Sequence, residues 1–301
     1  MLSDRQKEII LEIWGKKRYD EVIRCIDIYA EKWQLDDFEL IDKPARNLVL
    51  TCVSPNYGSC VFKVGIDNDF KSEIDVLRAF NGRGYCKLYE FSINDKTFLI
   101  ERILPGYDLW HETTRDERGA FFCDLYDTWY SFSKKSIDLS IYTAFLNLLE
   151  YKCADIQQND YVFLIPHIEK AKEIVLSLNT VYPDVILHGD LSYSNILKNK
   201  NGGYTAIDPT GIVGASVLNI SKFIISEFGN NIHYEPIENL LSFIDFISKK
   251  VNISDGIIKK CLYVVTVSGL CELELTNGKS FKDYEFMVDN VLMAEKIMEN
   301  L

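Results

Sequence analysis

The feature that most constrains the fold of this chain is a polar segment followed by a hairpin pattern. An apolar stretch leads directly into the run His188-Gly189-Asp190-Leu191-Ser192-Tyr193-Ser194-Asn195. Residues 195–198 and 204–208 then read as strands, and the loop between them is polar and rich in glycine. Antiparallel pairing brings the start of the first strand beside the end of the second. Asn195 and Asp208 are therefore predicted to meet, with Asp190 on the loop that leads to them.

Oxygen-bearing side chains that converge in this way predict a site for a hard cation. Two carboxylates packed together without a cation would repel each other, whereas Mg²⁺ takes oxygen ligands and phosphate oxygens. In phosphoryl transfer, Asp208 and Asn195 would hold the metal on the nucleotide phosphates. Asp190 would orient an acceptor hydroxyl and take its proton, and His188 would brace the loop. The spacing of His188-Gly189-Asp190-Leu191, Asn195 and Ile207-Asp208 is typical of kinases. It favours a kinase that uses ATP and Mg²⁺ over a hairpin whose polar residues are merely solvated.

A lysine and a glutamate upstream provide an independent indication. Lys63 stands in the otherwise apolar strand pattern Val61-Phe62-Lys63-Val64, where burial without a partner would be costly. Glu73 falls inside the apolar arc of the following helix pattern, so it needs a cationic partner. We therefore predict that Lys63 pairs with Glu73, over the alternative that both are exposed. No glycine-rich phosphate loop of the usual spacing accompanies them.

The order of strand and helix patterns predicts the fold class. Residues 4–33 read as two amphipathic helices separated near Gly15. Short strand patterns follow, with a helix at 69–80 among them. Helical patterns dominate later, apart from a β region at 185–209. An α+β protein is indicated, with a small antiparallel β lobe followed by a larger helical lobe.

The division between the lobes is predicted at the punctuation Leu104-Pro105-Gly106. This gives an N-terminal lobe of residues 1–104, which holds the leading helices, the sheet and the Lys63–Glu73 pair. The C-terminal lobe, residues 105–301, then holds the remaining helices and the hairpin.

The composition of the chain indicates which classes of molecule it can bind. The net charge of −12 predicts a surface that repels nucleic acid and anionic membranes. Such a surface would attract cationic small molecules, and solubility alone is the alternative explanation of the charge. No apolar run approaches the roughly 20 residues that cross a bilayer, and the polar N-terminus is not a signal peptide. The 8 cysteines form no CxxC pair and are expected to be reduced thiols. We therefore expect a cytoplasmic protein that acts on a small molecule.

Several motifs together resemble the aminoglycoside/hydroxyurea antibiotic resistance kinase family, which includes streptomycin phosphotransferases. The likeness covers roughly residues 35–216. It is carried by Val61-Phe62-Lys63-Val64-Gly65, Glu73 to Phe80, Asn81-Gly82-Arg83-Gly84, Leu99 to Gly106, Leu187-His188-Gly189-Asp190, and Ala206 to Gly214.

The resemblance implies a two-lobed, protein-kinase-like fold and transfer of the ATP γ-phosphate to a hydroxyl group. The positions that it implies are Lys63 and Glu73 at the phosphates, Glu101 and Ile103 in the hinge at adenine, Asn195 and Asp208 at Mg²⁺, and Asp190 as the catalytic base.

The acceptor side is less determined by the sequence. Ser192-Tyr193 follows the catalytic Asp-Leu where many members of the family carry His or Pro nearby, and this departure from the family lies on the acceptor side. Glu272 and Glu274 are acidic candidates for an amine- or guanidinium-bearing acceptor. They lie two residues apart, so a helix directs them about 200° from each other and at most one faces a given pocket. A solvated helix face is the alternative for either residue.

The motifs are compatible with four candidate functions. The first is an antibiotic kinase acting on streptomycin-like cations, and the second is a metabolic kinase of a sugar, amino alcohol or amino acid. The catalytic residues do not separate these two. A nucleotide-binding pseudokinase scaffold is disfavoured because Lys63, Glu73, Asp190, Asn195 and Asp208 are all present. A protein kinase is disfavoured because no Ala-Pro-Glu anchor follows Asp208.

Overall fold

The structure, a computed structural model, describes most of the chain. The described residues are 2–41, 47–65, 70–112, 114–136, 138–157, 164–229, 232–275 and 281–299. They form two compact units, of which the first comprises Met1–Gly106 and Lys198–Thr210. The second comprises Tyr107–Leu197 and Gly211–Leu301. This division differs from the expected one after residue 104, because part of the hairpin region belongs to the first unit.

Helices and strands follow each other in an α+β order. Among the described residues the helices are α1 (Asp4–Trp33), α2 (Phe70–Phe80), α3 (Arg115–Ser136), α4 (Phe145–Gln157), α5 (Ile165–Asn179), α6 (Val217–Glu227), α7 (Ile237–Val251), α8 (Asp255–Leu275) and α9 (Phe281–Glu299). The strands are β1 (Asp36–Leu40), β2 (Leu48–Ser54), β3 (Gly58–Val64), β4 (Leu88–Ser92), β5 (Thr97–Glu101), β6 (Pro105–Asp108), β7 (Thr143–Ala144), β8 (Asp184–Leu187), β9 (Ile196–Asn199), β10 (Tyr204–Ala206) and β11 (Ile212–Ala215). The predicted fold class is confirmed.

The segment α1 consists of two helical stretches that meet at Gly15, whose backbone is not helical, as the sequence predicts. Its start is capped reciprocally: the Gln6 backbone amide donates to Ser3 Oγ, and the Ser3 amide donates to Gln6 Oε1. Gly15 has a φ of 74° inside the helix, which a residue without a Cβ adopts at little cost. The break between the two helical stretches falls at the glycine that the sequence marks as the separation.

The first unit contains an antiparallel sheet in the order β1-β2-β3-β5-β4. Trp33 at the end of α1 and Phe38 on β1 both pack against Phe62 of β3, with ring centroids 6.0 and 5.6 Å away. Phe62 therefore belongs to the core between α1 and the sheet. Because successive side chains of a strand point to opposite faces, Lys63 is directed away from that core. The alternation along β3 thus determines which face of the sheet carries the lysine.

The predicted hairpin is confirmed between β9 and β10. The Asn199 backbone amide donates to the Gly203 oxygen at 2.9 Å, which closes the loop. Strand β10 is also bonded to the segment after α2: the Cys86 amide donates to the Ala206 oxygen at 3.0 Å, and the Ala206 amide donates to the Gly84 oxygen at 2.9 Å. These long-range backbone bonds explain why residues 198–210 belong to the first unit.

In the second unit a small sheet in the order β7-β11-β8 is surrounded by helices. Strand β11 pairs antiparallel with β8, with Ile212 opposite Leu187. A stack of Phe122 on α3 and Phe223 on α6, with centroids 4.0 Å apart, lies in the helical core. None of the described helices is both long enough and apolar enough to traverse a lipid bilayer.

Candidate active site

Lys63 is buried in the first unit and contacts two carboxylates. Its Nζ lies 2.8 Å from Glu73 Oε1 and 2.9 Å from Asp208 Oδ1. The exposed fraction of the side chain is 2% for Lys63 and 9% for Glu73. The predicted ion pair between Lys63 and Glu73 is therefore confirmed, and Asp208 joins it as a second acid.

The position of Glu73 follows from the periodicity of α2. Phe70, Ile74 and Leu77 form the buried apolar face of this helix, and Glu73 is buried among them in the first turn. An acid is favourable near a helix N-terminus, where unpaired amides leave a partial positive charge. The helix thus holds the carboxylate at a fixed place opposite β3.

The three groups influence each other's protonation. Burial alone would lower the pKa of Lys63, but the carboxylates of Glu73 and Asp208 outweigh it and raise that pKa, so the ammonium stays charged. Burial raises the pKa of Glu73, and the ammonium of Lys63 opposes this effect. With all three groups ionised, one positive charge faces two negative charges. The excess negative charge favours binding of a further cation.

Asp208 adopts an unusual backbone conformation just after β10. Its φ is 57°, in the left-handed region that few residues other than glycine occupy, although aspartate tolerates it better than most. The side chain is 42% exposed. Lys63 bonds Oδ1, and Oδ2 has no hydrogen bond to any residue that the structure describes. Residues in strained conformations cluster at functional sites, and this one presents an accessible carboxylate oxygen.

Asp190 and Asn195 are linked within the second unit. The Asn195 side-chain amide donates to the Asp190 backbone oxygen at 2.8 Å and lies 3.5 Å from Asp190 Oδ2. The side-chain nitrogen of Asn195 is therefore used in a bond within the loop, and its Oδ1 is available as a metal ligand. Asp190 itself is exposed, so its carboxylate is accessible to a substrate.

The loop that carries Asp190 is held from behind. The His188 backbone amide donates to Asn219 Oδ1 on α6 at 3.1 Å. His188 is fully buried, with its ring centroid 6.2 Å from that of Trp129. The pairing of Leu187 with Ile212 fixes the chain immediately before it. These contacts agree with the bracing role expected for His188.

The segment expected to bind adenine leaves the sheet at the end of β5. The Glu101 amide donates to the Lys87 oxygen at 2.9 Å, and the Lys87 amide donates to Glu101 Oε2 at 3.2 Å. Ile103 is 8% exposed. Gly106 has a φ of 78°, and a Cβ there would lie 2.6 Å from the Ile103 oxygen, so the turn requires glycine. The adenine role of Glu101 and Ile103 stays a prediction.

The donors fit a magnesium ion by their chemistry. Asp208 Oδ2 and Asn195 Oδ1 are hard oxygen donors of the kind that Mg²⁺ selects, and Mg²⁺ completes its shell with water and phosphate oxygens. Within the described part of the chain, no group of three or more His, Cys, Asp or Glu side chains is arranged to hold a metal without such help. That Asn195 and Asp208 share one ion stays a prediction.

A comparison with family models decides the classification. The model described as aminoglycoside/hydroxyurea antibiotic resistance kinase matches residues 32–254 of the chain. The chain belongs to this kinase family. It is accordingly a phosphotransferase, and the resemblance stated from its motifs is confirmed. No curated protein has a matching sequence.

Solved structures share the fold of this family member at low sequence identity. An ethanolamine kinase from Plasmodium vivax has a TM-score of 0.69 at 13% identity, over 100% of this chain and 97% of that one. A choline kinase from Streptococcus pneumoniae has a TM-score of 0.64 at 14% identity, over 94% and 100% of the chains. An amicoumacin kinase in complex with AMP-PNP and Ca²⁺ has a TM-score of 0.64 at 14% identity, over 94% and 95%.

The acidic candidates for the acceptor lie at the edge of what the structure describes. Glu272 and Glu274 belong to the backbone of α8, which is helical to Leu275. Their side chains are outside the described part of the chain. Their role in this kinase family member stays a prediction.

Sequence reasoning missed a buried charged cluster in the second unit. Glu227 at the end of α6 binds Arg115 and Arg118 of α3, and Tyr193 of the loop between Asp190 and Asn195. The sequence signal for this cluster is the same as for Glu73, namely an acid within the apolar arc of a helix. Ile220, Phe223 and Glu227 lie on one face of a helix at spacings of three and four residues. An acid inside such an apolar arc requires cationic partners.

Proposed function

We propose that this chain transfers the γ-phosphate of ATP to a hydroxyl of a small cationic molecule, with Mg²⁺ as the metal. The observation that carries the proposal is the buried Lys63, bound to both Glu73 and Asp208. Kinases use a strand lysine fixed by a helix glutamate to hold nucleotide phosphates, beside an aspartate that binds the metal. Burial of the charges of Lys63 and Glu73 has no evident benefit for stability alone.

The nucleotide is bound by a cationic side chain at its phosphates and by oxygen-bearing side chains at its metal. Lys63 binds the α- and β-phosphates, and Glu73 keeps its ammonium in place. Asp208 Oδ2 and Asn195 Oδ1 hold the metal, which when bound neutralises charge on the phosphate oxygens. The backbone from Glu101 to Ile103 binds adenine. The amicoumacin kinase with AMP-PNP and Ca²⁺ supports the use of a nucleotide with a divalent ion on this fold.

Asp190 acts on the acceptor. Its exposed carboxylate accepts a hydrogen bond from the acceptor hydroxyl and orients the oxygen toward the γ-phosphorus. As the new oxygen–phosphorus bond forms, the bond from the γ-phosphorus to the oxygen bridging it to the β-phosphate breaks, and ADP leaves with that oxygen. The hydroxyl proton passes to Asp190. Asn195, bonded to the Asp190 backbone, keeps the loop in the required shape.

The charge of the protein favours a cationic acceptor. A net charge of −12 concentrates cations at the surface and raises their rate of encounter. An amine or guanidinium on the acceptor would suit Glu272 or Glu274. Together with the family, this points to an aminoglycoside of the streptomycin type.

An amino-alcohol kinase is the second candidate. It is favoured by the ethanolamine kinase and choline kinase folds, which match over nearly the whole of both chains. Ethanolamine and choline are also cationic alcohols, so the charge argument applies to them equally. A pseudokinase scaffold remains disfavoured, because such a protein need not keep Lys63, Glu73, Asp190, Asn195 and Asp208.

An acceptor screen tests the proposal. Release of ADP from MgATP would be measured with streptomycin, other aminoglycosides, hydroxyurea, ethanolamine, choline and simple sugars, with Asp190→Asn as the negative control. Phosphorylation of streptomycin supports the first candidate, and phosphorylation of ethanolamine or choline the second. If the parent releases ADP no faster with any acceptor than in its absence, the proposed function is wrong.

A further inference from the structure

Glu227 is a buried carboxylate bound by two arginines of α3. Its side chain is 0% exposed. Arg118 donates Nη2 to Oε1 at 2.5 Å and Nε to Oε2 at 3.1 Å, and Arg115 donates Nε to Oε1 at 3.3 Å. Arg118 also donates Nη1 to the Glu112 backbone oxygen at 2.9 Å. Two-pronged bonds of this kind fix the carboxylate in one orientation.

The fixed carboxylate accepts one more hydrogen bond, from the Tyr193 hydroxyl to Oε2. Burial and the bond to Glu227 both raise the pKa of Tyr193, so its hydroxyl remains protonated and a donor. The Tyr193 ring packs between Trp110 and Phe223, at centroid distances of 5.3 and 6.1 Å. The side chain is therefore held at both its ring and its oxygen.

Tyr193 lies inside the loop that the proposed chemistry depends on. It starts the 3-10 turn Tyr193–Asn195, three residues after Asp190. The other side-chain hydrogen bonds of residues 189–195, within the described part of the chain, join members of the loop to each other. Among the described residues of this loop, Tyr193 is thus the one whose side-chain hydrogen bond reaches another element, α6.

We propose that Tyr193 is a positioning residue: its hydroxyl, held by the arginine-bound Glu227, fixes the loop that carries Asp190 and Asn195. Neither Tyr193 nor Glu227 touches a reacting atom in this role. The inference rests on the proposed kinase function for its kinetic consequence, but the ordering of the loop does not. A misplacement of about 1 Å at a catalytic group lowers turnover by up to about 100-fold, so a single lost bond has a measurable effect.

The variant Tyr193→Phe isolates this bond. The ring keeps its contacts with Trp110 and Phe223, and Glu227 keeps both arginines, so no buried charge loses its pairing. The matched control is Tyr126→Phe. Tyr126 is a buried tyrosine of the second unit, and its hydroxyl donates to Ser216 Oγ at 3.0 Å, away from the loop. Both variants lose one hydroxyl hydrogen bond, which is partly buried for Tyr193 and buried for Tyr126.

Hydrogen–deuterium exchange of the peptide covering residues 189–196 is the primary measurement, together with thermal unfolding of each variant. We expect exchange in this peptide to be at least about tenfold faster in Tyr193→Phe than in the parent, and unchanged in Tyr126→Phe. Equal exchange in all three proteins overturns the proposal. It is also overturned if Tyr193→Phe accelerates exchange throughout the second unit, because its role would then be general stability.

The kinetic measurement uses MgATP with whichever acceptor of the screen is turned over fastest. We expect kcat of Tyr193→Phe to fall about 10- to 100-fold while KM for MgATP stays within about twofold. Parallel losses of kcat in Tyr126→Phe would contradict the positioning role. A parent without turnover would instead contradict the proposed function, and the exchange experiment would still decide whether Tyr193 orders the loop.

Discussion

Lys63 on β3 and Glu73 on α2 form an ion pair of 2.8 Å that is almost completely removed from water. Neither residue is stable in this position without the other, because an unpaired buried charge loses its hydration without compensation. The pair therefore fixes α2 against the sheet and fixes the direction of the ammonium. A lysine held in this way can bind phosphate without first losing side-chain freedom.

Replacement of Lys63 by methionine keeps the bulk of the side chain and removes its charge. Glu73 and Asp208 then repel each other, so we expect the free energy of unfolding to fall by about 3 kcal/mol. We also expect kcat/KM for MgATP to fall by at least about 100-fold. The control Lys249→Met breaks the exposed pair with Asp245, and should change stability by less than about 1 kcal/mol. Similar small effects in both variants would contradict the central role of Lys63.

Asp190→Asn tests the base. The amide occupies the same space but cannot accept the acceptor proton, so we expect kcat to fall by at least about 10³-fold. Binding of MgATP, measured by titration calorimetry, should stay within about twofold of the parent, because Asp190 acts on the acceptor. Asp245→Asn, an exposed acid on α7, is the control and should keep full activity. Retention of most of the rate in Asp190→Asn would remove it from this role.

Asp208→Asn tests the metal ligand. Saturating MgATP at about 100 times its Kd should stabilise the parent by about 2.7 kcal/mol in thermal unfolding. Adding EDTA to the parent defines the part of this stabilisation that depends on magnesium. We expect Asp208→Asn to lack that part. Asp20→Asn, which alters an exposed pair with Lys16 in the same unit, should respond like the parent. Equal magnesium-dependent shifts in Asp208→Asn and the parent would exclude Asp208 as a ligand.

Tyr29 of α1 donates a hydrogen bond of 2.5 Å to Asp95, in the turn between β4 and β5. This bond lowers the pKa of Asp95 below its usual value, so the stabilisation is present above the unfolded pKa and is lost as the pH falls through the folded one. We expect Tyr29→Phe to lower the free energy of unfolding by about 1 kcal/mol at pH 7 in urea titrations.

The same comparison at about pH 3 should give a smaller difference between Tyr29→Phe and the parent, because Asp95 of the unfolded chain then binds a proton and the stabilisation is being lost as the pH falls toward the lowered folded pKa. Tyr57→Phe removes an exposed bond to Glu90 and serves as the control, with a smaller effect at neutral pH. A difference for Tyr29→Phe that stays constant with pH would contradict the role of Asp95.

Local patterns predict the parts of the site that lie close together in sequence. The apolar arc of α2 identifies Glu73 as an inward acid, and the apolar pattern of β3 identifies Lys63 as its partner, ten residues away. The turn residues after β9 identify the hairpin that leads to Asp208. Each of these predictions depends on helix or strand periodicity within a short segment, which a single sequence displays directly.

Contacts between distant segments are not visible in this way. Arg118 and Glu227 are separated by 109 residues, and nothing in the pattern of α3 indicates which acid its arginine meets. The pairing of Ala206 with Gly84 and Cys86 is equally remote, so the sequence places the whole hairpin in the C-terminal lobe. The tertiary contact, which no local propensity encodes, determines where this segment belongs.

The backbone bonds from β10 to Gly84 and Cys86 have a consequence for the order in which the protein is made. The first unit includes Lys198–Thr210, a segment synthesised long after Gly106 has left the ribosome. The nascent N-terminal part must therefore wait, with these two peptide groups and the acids around Lys63 incomplete, until that late strand emerges. A gene fragment that stops near residue 106 would encode all five strands of the sheet but neither the strand that bonds Gly84 and Cys86 nor the second acid of Lys63, Asp208.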